Sequence, residues 1–271
     1  MTLTDFFHRE GIELFSVLDF KDARVINENK ISKHVNFTPK SILIFALPYY
    51  VGDIEGGNIS KYAFSKDYHL YFKDLSGRLI NLLLKRYPTN TFLAFADSSP
   101  IDERHAASVS GLGIIGKNRL LITEKYGSYV FLGEVISDLE ATEYFGAPTV
   151  LHTPSSCIGC NRCLSACPAN RSFIDCLSQV TQKKGELTSE EAMAITTYGS
   201  VWGCDICQSV CPHNQNIAKT PIHFFHEEII HFLDTKLLQT MTKEEFSKRA
   251  WAWRGKNTLL RNLKIYEENK K

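Results

Sequence analysis

Apolar residues follow two different rhythms along the first half of the chain. "SILIFALPYY", Ser41 to Tyr50, is a short apolar run broken by Pro48, which predicts a buried strand. From Asp67 to Tyr87 the rhythm changes: Tyr68, Tyr71, Phe72, Leu75, Leu79, Leu82 and Leu83 recur at three- and four-residue steps, predicting an amphipathic helix that closes before Pro88. "TFLAFADSSP", ending at Pro100, reads as a strand running into a turn, and "IDERHAASVSG" as a helix that exits at Gly111. "NRLLITEKYGSYVFLGEVISDLE", Asn118 to Glu140, reads as two strands around Lys125 to Gly127. Strands and helices alternate, so residues 1–150 are expected to fold as one mixed domain around a single sheet.

Beyond "HTPSSCIGC" the texture becomes short, Cys-studded turns, which marks a second module over residues 151–215. A third segment, 216–271, ends in the charged, helix-patterned "TKEEFSKRAWAWRGKNTLLRNLKIYEENKK", where Thr242 and Glu245 are spaced as a capping box. Net charge is +1, but Lys236 to Lys271 carries ten Lys and Arg against four Glu, so this tail can face a polyanion or form a solvated helix face. The longest apolar runs fall far short of the roughly 20 residues of a membrane helix, and "MTLTDFFHRE" lacks a basic region followed by an apolar one. A cytoplasmic location with no membrane partner is expected.

"GLGIIGKN", Gly111 to Asn118, satisfies G-x-G-x-x-G and nearly satisfies a P-loop. Its context argues against both. The run follows a helix and precedes a strand, the reverse of a dinucleotide fingerprint, and Asn118 stands where a P-loop needs Ser or Thr for magnesium. A helix exit and tight turn is the simpler reading.

All eight cysteines lie between Cys157 and Cys211, a crowding that points to metal rather than to a disulfide scaffold. Cys157, Cys160, Cys163 and Cys167, followed by Pro168, have the C-x2-C-x2-C-x3-C-P spacing of a bacterial 4Fe-4S run. Cys176, Cys204, Cys207 and Cys211 form a looser set that again ends in Cys-Pro. In such runs the fourth cysteine serves the neighbouring cluster, which divides the eight into Cys157, Cys160, Cys163 and Cys211 on one cluster and Cys167, Cys176, Cys204 and Cys207 on the other. Paired zinc sites are the competing reading, but zinc modules do not need three closely spaced thiolates and a proline.

These residues carry a family resemblance. "SKYAFSKDYH" (Ser60 to His69), "FADSSPIDERHAASVSGLGIIGKNRLLITEKYGSYVFLGEV", "CIGCNRCLSACPAN", "YGSVWGCDICQSVCPHN" and "LLRNL" together resemble the epoxyqueuosine reductases, cobalamin- and iron-sulfur-dependent enzymes of tRNA queuosine synthesis. The resemblance implies an α+β fold: an N-terminal α/β cobalamin-binding domain, a two-cluster bacterial ferredoxin-like domain and a C-terminal helical tail. It implies a short form lacking the family's helical-repeat domain. The expected reaction is reduction of epoxyqueuosine to queuosine in the tRNA anticodon loop, with electrons from a low-potential donor passing through two 4Fe-4S clusters to cobalamin. A monomer is expected.

By the same resemblance Asp97 is the proton donor, since removing an epoxide oxygen as water takes two electrons and two protons. The residues expected to hold cobalamin are Ser60, Tyr62, Asp67, Tyr68, Gly113, Gly116, Lys117, Leu121, Leu132, Ser178 and Asp205, the glycines by letting backbone approach the corrinoid. Glu103 and Arg104 match the family motif and equally suit a helix-start ion pair. His69 is read as an ordinary hydrogen-bonded histidine, because Phe72 replaces the glycine of the D-x-H-x-x-G cobalt-ligand motif; His105, His152 and His213 are read likewise. The segment "DCLSQVTQKKG" around Cys176 differs from the family's usual wording. Two other functions fit the same residues: a corrinoid-dependent reductase of a small molecule or partner protein, and an electron-carrier iron-sulfur protein.

Overall fold

The computed structural model describes residues 1–144, 156–172 and 175–268. The expected domain break at residue 150, and His152, lie outside the described residues. The chain divides into two compact units that alternate along the sequence. Met1–Tyr49, Tyr71–Ile158 and Gln215–Ile222 form the first, and Tyr50–Leu70, Gly159–Asn214 and His223–Lys271 the second. The expected segmentation ran in simple sequence order; the observed units interleave.

The first unit is built on four strands, β1 (Phe15–Asp19), β2 (Ser41–Pro48), β3 (Phe92–Phe95) and β6 (Val130–Ser137), in the order β1-β2-β6-β3. Every pairing is antiparallel. A short hairpin of β4 (Ile114–Ile115) and β5 (Leu121–Ile122) lies outside this sheet. Helices α1 (Leu3–Arg9), α2 (Glu28–His34), α3 (Tyr68–Arg86) and α4 (Glu103–Val109) complete the mixed fold. Thr2 and Asp5 form a capping box on α1, and Asn27 caps α2 by accepting from the Lys30 amide.

All eight residues of β2 are buried, so both faces of the sheet are covered. Alternation sorts them. Ile42, Ile44 and Ala46 join Ala106, Ala107, Leu112, Leu121, Leu132 and Ile136 in a core under α4 and the hairpin. Phe45, on the other face, packs against Phe7 and Phe72, with ring centroids 5.2 and 6.2 Å away. Each large side chain so enclosed contributes about 1.5–3 kcal/mol. Phe72 thus takes its place in the motif as a core residue.

The second unit holds α5 (Arg162–Ala166), α6 (Pro168–Ser172), α7 (Leu177–Gln182), α8 (Ser189–Tyr198), α9 (Ile206–Ser209), α10 (Thr235–Thr240), α11 (Lys243–Ser247) and α12 (Lys256–Glu268). Its core joins Ile59 and Phe64 to Leu177, Ile195 and Trp202, and these to Leu233, Trp251, Leu259, Leu263 and Tyr266. The last three sit at i, i+4 and i+7 on α12, so one face of the tail is core and only the other meets solvent. Two buried asparagines bolt the segments together. Asn58 Nδ2 donates to the Leu233 carbonyl and its Oδ1 accepts from the Leu233 amide, both at 2.7 Å. Asn262 of "LLRNL" donates to the Thr181 and Val201 carbonyls at 2.7 and 2.9 Å. The Thr242–Glu245 capping box forms at the start of α11.

Gly133 of β6 lies opposite Phe45 in the ladder, and a Cβ there would come within 2.6 Å of the Phe72 ring and 2.7 Å of the Phe45 ring. We expect Gly133→Ala to lower stability by about 1–3 kcal/mol through overpacking. Adding Phe72→Leu should restore part of that loss in a denaturant melt.

Candidate functional site

The first unit presents Asp97 on an unusual backbone. β3 ends at Phe95, and two residues later Asp97 has φ 56°, in the left-handed region where a non-glycine residue is held only by its surroundings. Those surroundings are specific. The Asp97 amide donates to the Glu103 carboxyl at the start of α4. The Ser98 amide donates to the Ala96 carbonyl at 2.5 Å, and Lys30 Nζ of α2 donates to the Ser98 carbonyl and, at 2.5 Å, to its hydroxyl. Ser99 Oγ accepts from the Ile101 amide at 3.0 Å and donates to the Glu134 carboxyl of β6. Asp102 then caps α4 by accepting from the His105 amide at 3.2 Å.

Glu134 pairs with Phe95 in the β3–β6 ladder and is 1% exposed. Burial pushes its carboxyl up to about 8, and the Glu103 charge adds to this, against the Ser99 hydrogen bond and the Lys30 charge. Burial likewise raises Glu103 to about 7, followed by the Asp97 charge. Glu103 Oε2 and Glu134 Oε2 are both buried and accept no hydrogen bond. Sequence reading gave Glu103 an ion-pair role and passed over Glu134; its signal was a single carboxylate inside the apolar strand "FLGEVIS". Arg104 lies 3.9 Å from Asp102 and donates to the Arg119 carbonyl at 2.9 Å.

The glycine run behaves as a helix exit and a hairpin. Gly111 has φ 86°, and the Leu112 amide closes back onto the Ala107 carbonyl at 2.9 Å. A Cβ on Gly113 would collide with the Ile122 carbonyl, and one on Gly116 would lie 2.5 Å from Asn118 Oδ1 and 2.7 Å from Ile122 Cδ1. The hairpin's own packing therefore accounts for both glycines. Leu121 and Leu132 are enclosed in the core, which leaves only their backbone to a ligand. Lys117 is exposed at the hairpin tip.

In the second unit, Cys160 sits between Gly159 and Asn161, which take φ 69° and 60°. Cys167 directly precedes α6, Cys176 caps α7, and Cys211 is buried at 8% exposure. Burial pushes Cys204 up to about 11 and Cys207 up to about 12, with further upward contributions from Cys176 and Cys167 on both. Cys167, Cys176, Cys204 and Cys207 thus share one electrostatic neighbourhood, the set expected for one cluster. Among the described residues no three His, Cys, Asp or Glu side chains converge on a single metal-ion position, and the fit to an iron-sulfur cluster rests on the ligand chemistry and spacing of the cysteines.

Several residues expected at cobalamin share the second unit with these cysteines, and Asp205 directly follows Cys204. Ser60 Oγ and, at 2.6 Å, the Lys61 amide donate to the Asp205 carboxylate. Burial raises that carboxyl, and the two donors pull it down. Gly203 (φ 72°) lets the chain come close to Ser60, and a Cβ there would meet Ser60 and lie 2.9 Å from Tyr62. Gln182 donates to Ser178 Oγ at 3.0 Å and to Tyr62 OH at 3.4 Å. Asp67 accepts from the His69 amide at 3.0 Å and lies 2.8 Å from its ring Nδ1. Although burial raises Asp67, these His69 contacts hold it below the usual carboxylate range. Tyr68 is buried with its ring 4.2 Å from that of His69. His69 is thus hydrogen-bonded to Asp67 through both its amide and its ring.

The cysteine loops and the mixed fold define an iron-sulfur protein, and residues 149–215 match the 4Fe-4S dicluster domain family. Over 94% of its length the chain is 30% identical to epoxyqueuosine reductase of Listeria monocytogenes, covering 70% of that protein. It belongs to the epoxyqueuosine reductase family. A Gloeobacter violaceus relative is 38% identical over 135 residues, which span 48% of this chain and 40% of that protein. Among solved structures, epoxyqueuosine reductase from Streptococcus thermophilus aligns with 98% of this chain and 80% of its own, at TM-score 0.77 and 26% identity. Another, an epoxyqueuosine reductase with an epoxyqueuosine-modified tRNA stem loop, shares the fold at TM-score 0.76 and 22% identity over the same shares. No helix among the described residues is long and apolar enough to cross a membrane.

The raised Glu134 fixes a pH dependence. Between the unfolded glutamate value of about 4.3 and about 8, the folded chain binds a proton that the unfolded chain has lost, so stability is highest at the acid end and falls as pH rises through that window. Thermal midpoints measured from about pH 5 to 8 should fall less steeply in Glu134→Gln than in the wild type.

Proposed function

We propose that this protein reduces epoxyqueuosine to queuosine in the anticodon loop of tRNA, in the cytoplasm, using electrons from a low-potential donor. Family membership names the reaction, and the observation that carries it here is the Asp97 turn. An aspartate is held on left-handed backbone at the end of β3 by Glu103, Ser99 and Lys30, which presents one carboxyl at a fixed place. That is the requirement for a general acid that protonates a departing oxygen.

The reaction consumes two electrons and two protons and releases water. Cys157, Cys160, Cys163 and Cys211 would hold one 4Fe-4S cluster, and Cys167, Cys176, Cys204 and Cys207 the other. The mutual proximity of the second four supports this division. Cobalamin, when bound, supplies the two-electron reductant. Each unit keeps its own share of the residues assigned to it: Lys117 and the backbone at Gly113, Gly116, Leu121 and Leu132 in the first, and Ser60, Tyr62, Asp67, Tyr68, Ser178 and Asp205 in the second. Within the second unit, the Ser60–Asp205 and Tyr62–Gln182–Ser178 contacts fix these groups beside Cys204 and α7.

In this reading residues 1–150 supply most cobalamin contacts, 151–215 hold the clusters and add Ser178 and Asp205 to the cobalamin set, and 216–271 add core to the second unit and a basic outer face for the nucleic acid. The exposed basic residues of this stretch, such as Lys236, Lys243 and Lys264, would meet phosphates in a salt-dependent way.

Reconstituted protein incubated with tRNA bearing epoxyqueuosine should yield queuosine when nucleosides are read by mass spectrometry. Asp97→Asn should keep the cluster spectrum and lose about 10²–10⁴-fold in turnover. An unchanged rate would remove Asp97 from the chemistry. Reconstituted wild type should carry about eight irons per chain and Cys207→Ala about half of that, with zinc absent from both.

A further inference from the structure

Asp97 can deliver one proton at a time, yet deoxygenation takes two. Resting on the function just proposed, the second proton needs a source. Behind the Asp97 turn lie two carboxyls that the mechanism has not used. Glu134 is 1% exposed in the middle of β6, and its Oε2 has no hydrogen-bond partner; Glu103 Oε2 at the start of α4 is likewise buried and unpartnered. An orphaned carboxylate oxygen out of water is costly, whereas a carboxylic acid carries its own donor. The groups form a series. Glu103 accepts the Asp97 amide and senses the Asp97 charge, and Glu134 senses the charge on Glu103.

We propose that Glu103 and Glu134 are a buried proton reserve for Asp97. Once Asp97 has protonated the leaving oxygen, the Glu103 O–H bond breaks as an Asp97 O–H bond forms, and the electron pair stays on Glu103. Glu134 reprotonates Glu103 in the same way, and solvent later restores the Glu134 proton. No electrons move. Both glutamates act through Asp97, so they are positioning and supply residues. The surrounding charges suit this task. Lys30 on α2 and Arg104 on α4 limit the build-up of negative charge, Asp102 and Asp97 add to it, and Ser99 binds one Glu134 oxygen only. The raised carboxyl values given above leave Glu134 mostly protonated and Glu103 near its midpoint at neutral pH.

The test is infrared titration of the reconstituted holoprotein, following the C=O stretch of protonated carboxyls. Wild type should show two such bands at neutral pH; Glu103→Gln and Glu134→Gln should each lose one, and Asp97→Asn should shift the midpoint of the Glu103 band. Absence of the bands from wild type at neutral pH, or midpoints indifferent to Asp97→Asn, overturns the proposal. These readings need no turnover, so they stand apart from the choice of substrate. In the tRNA assay, Glu134→Gln should lower turnover roughly tenfold above about pH 7 with KM unchanged. Glutamine keeps the shape and can keep the Ser99 contact, so a purely structural role predicts the wild-type pH profile, and observing it would also overturn the proposal.

Discussion

A carboxyl group leaves water at high cost unless it is paired or neutral, and β6 places one in the middle of the sheet. Much of the first unit's polar architecture answers that constraint. Glu134 has apolar ladder partners, Ile44 and Phe95, which offer it no charge. It is met by the Ser99 hydroxyl, and this fixes the stretch between β3 and α4. That stretch is only seven residues long, so pinning Ser99 also restricts Asp97, and Lys30 on one side and Glu103 on the other complete the hold. The left-handed backbone at Asp97 is therefore sustained from several directions. A strain of about 1–3 kcal/mol persists only where the surroundings over-determine it in this way.

The second unit solves a different problem. Short helices and cysteine turns bury little apolar area of their own, and a cluster-binding segment of this size needs a core supplied from elsewhere. Here that core comes from residues 50–70 before it and from the last helices after it. Asn58 and Asn262 make the joints specific, since each satisfies two backbone groups that the meeting of distant segments would otherwise strand. Gly203 serves the same end by admitting Ser60, which brings its hydroxyl to Asp205 beside Cys204. On α12, Lys264 stands exposed opposite the committed apolar stripe.

The parts of this arrangement visible in the sequence are those set by local period and spacing. β2, α3, α4, the turn at Lys125 to Gly127 and the Thr242–Glu245 cap follow from apolar rhythm and capping chemistry. What depends on partners far along the chain was not visible. The antiparallel order β1-β2-β6-β3, the interleaving of the units and the burial of Leu121 and Leu132 arise from long-range pairing. β1, five residues of mixed polarity, and the two-residue strands β4 and β5 carry too little pattern to announce themselves. Gly113 and Gly116 look like ligand-binding glycines in one dimension; only Ile122, brought back by the hairpin, shows what their missing side chains make room for.

The same contrast explains the segment Asp67 to Phe72. Its wording approaches a cobalt-ligand motif, and its residues have definite structural commitments in this fold. Asp67 is occupied by the amide and ring of His69, which ties the imidazole to the start of α3. Phe72, one turn further on, fills space against Phe45 that the absent side chain of Gly133 leaves open. A glycine at 72 would empty that space, and a side chain at 133 would overfill it. The two positions are complementary on the sheet face, so the departure from the ligand motif at Phe72 is a packing requirement of this fold, while Asp67 holds the His69 amide and ring at the helix start.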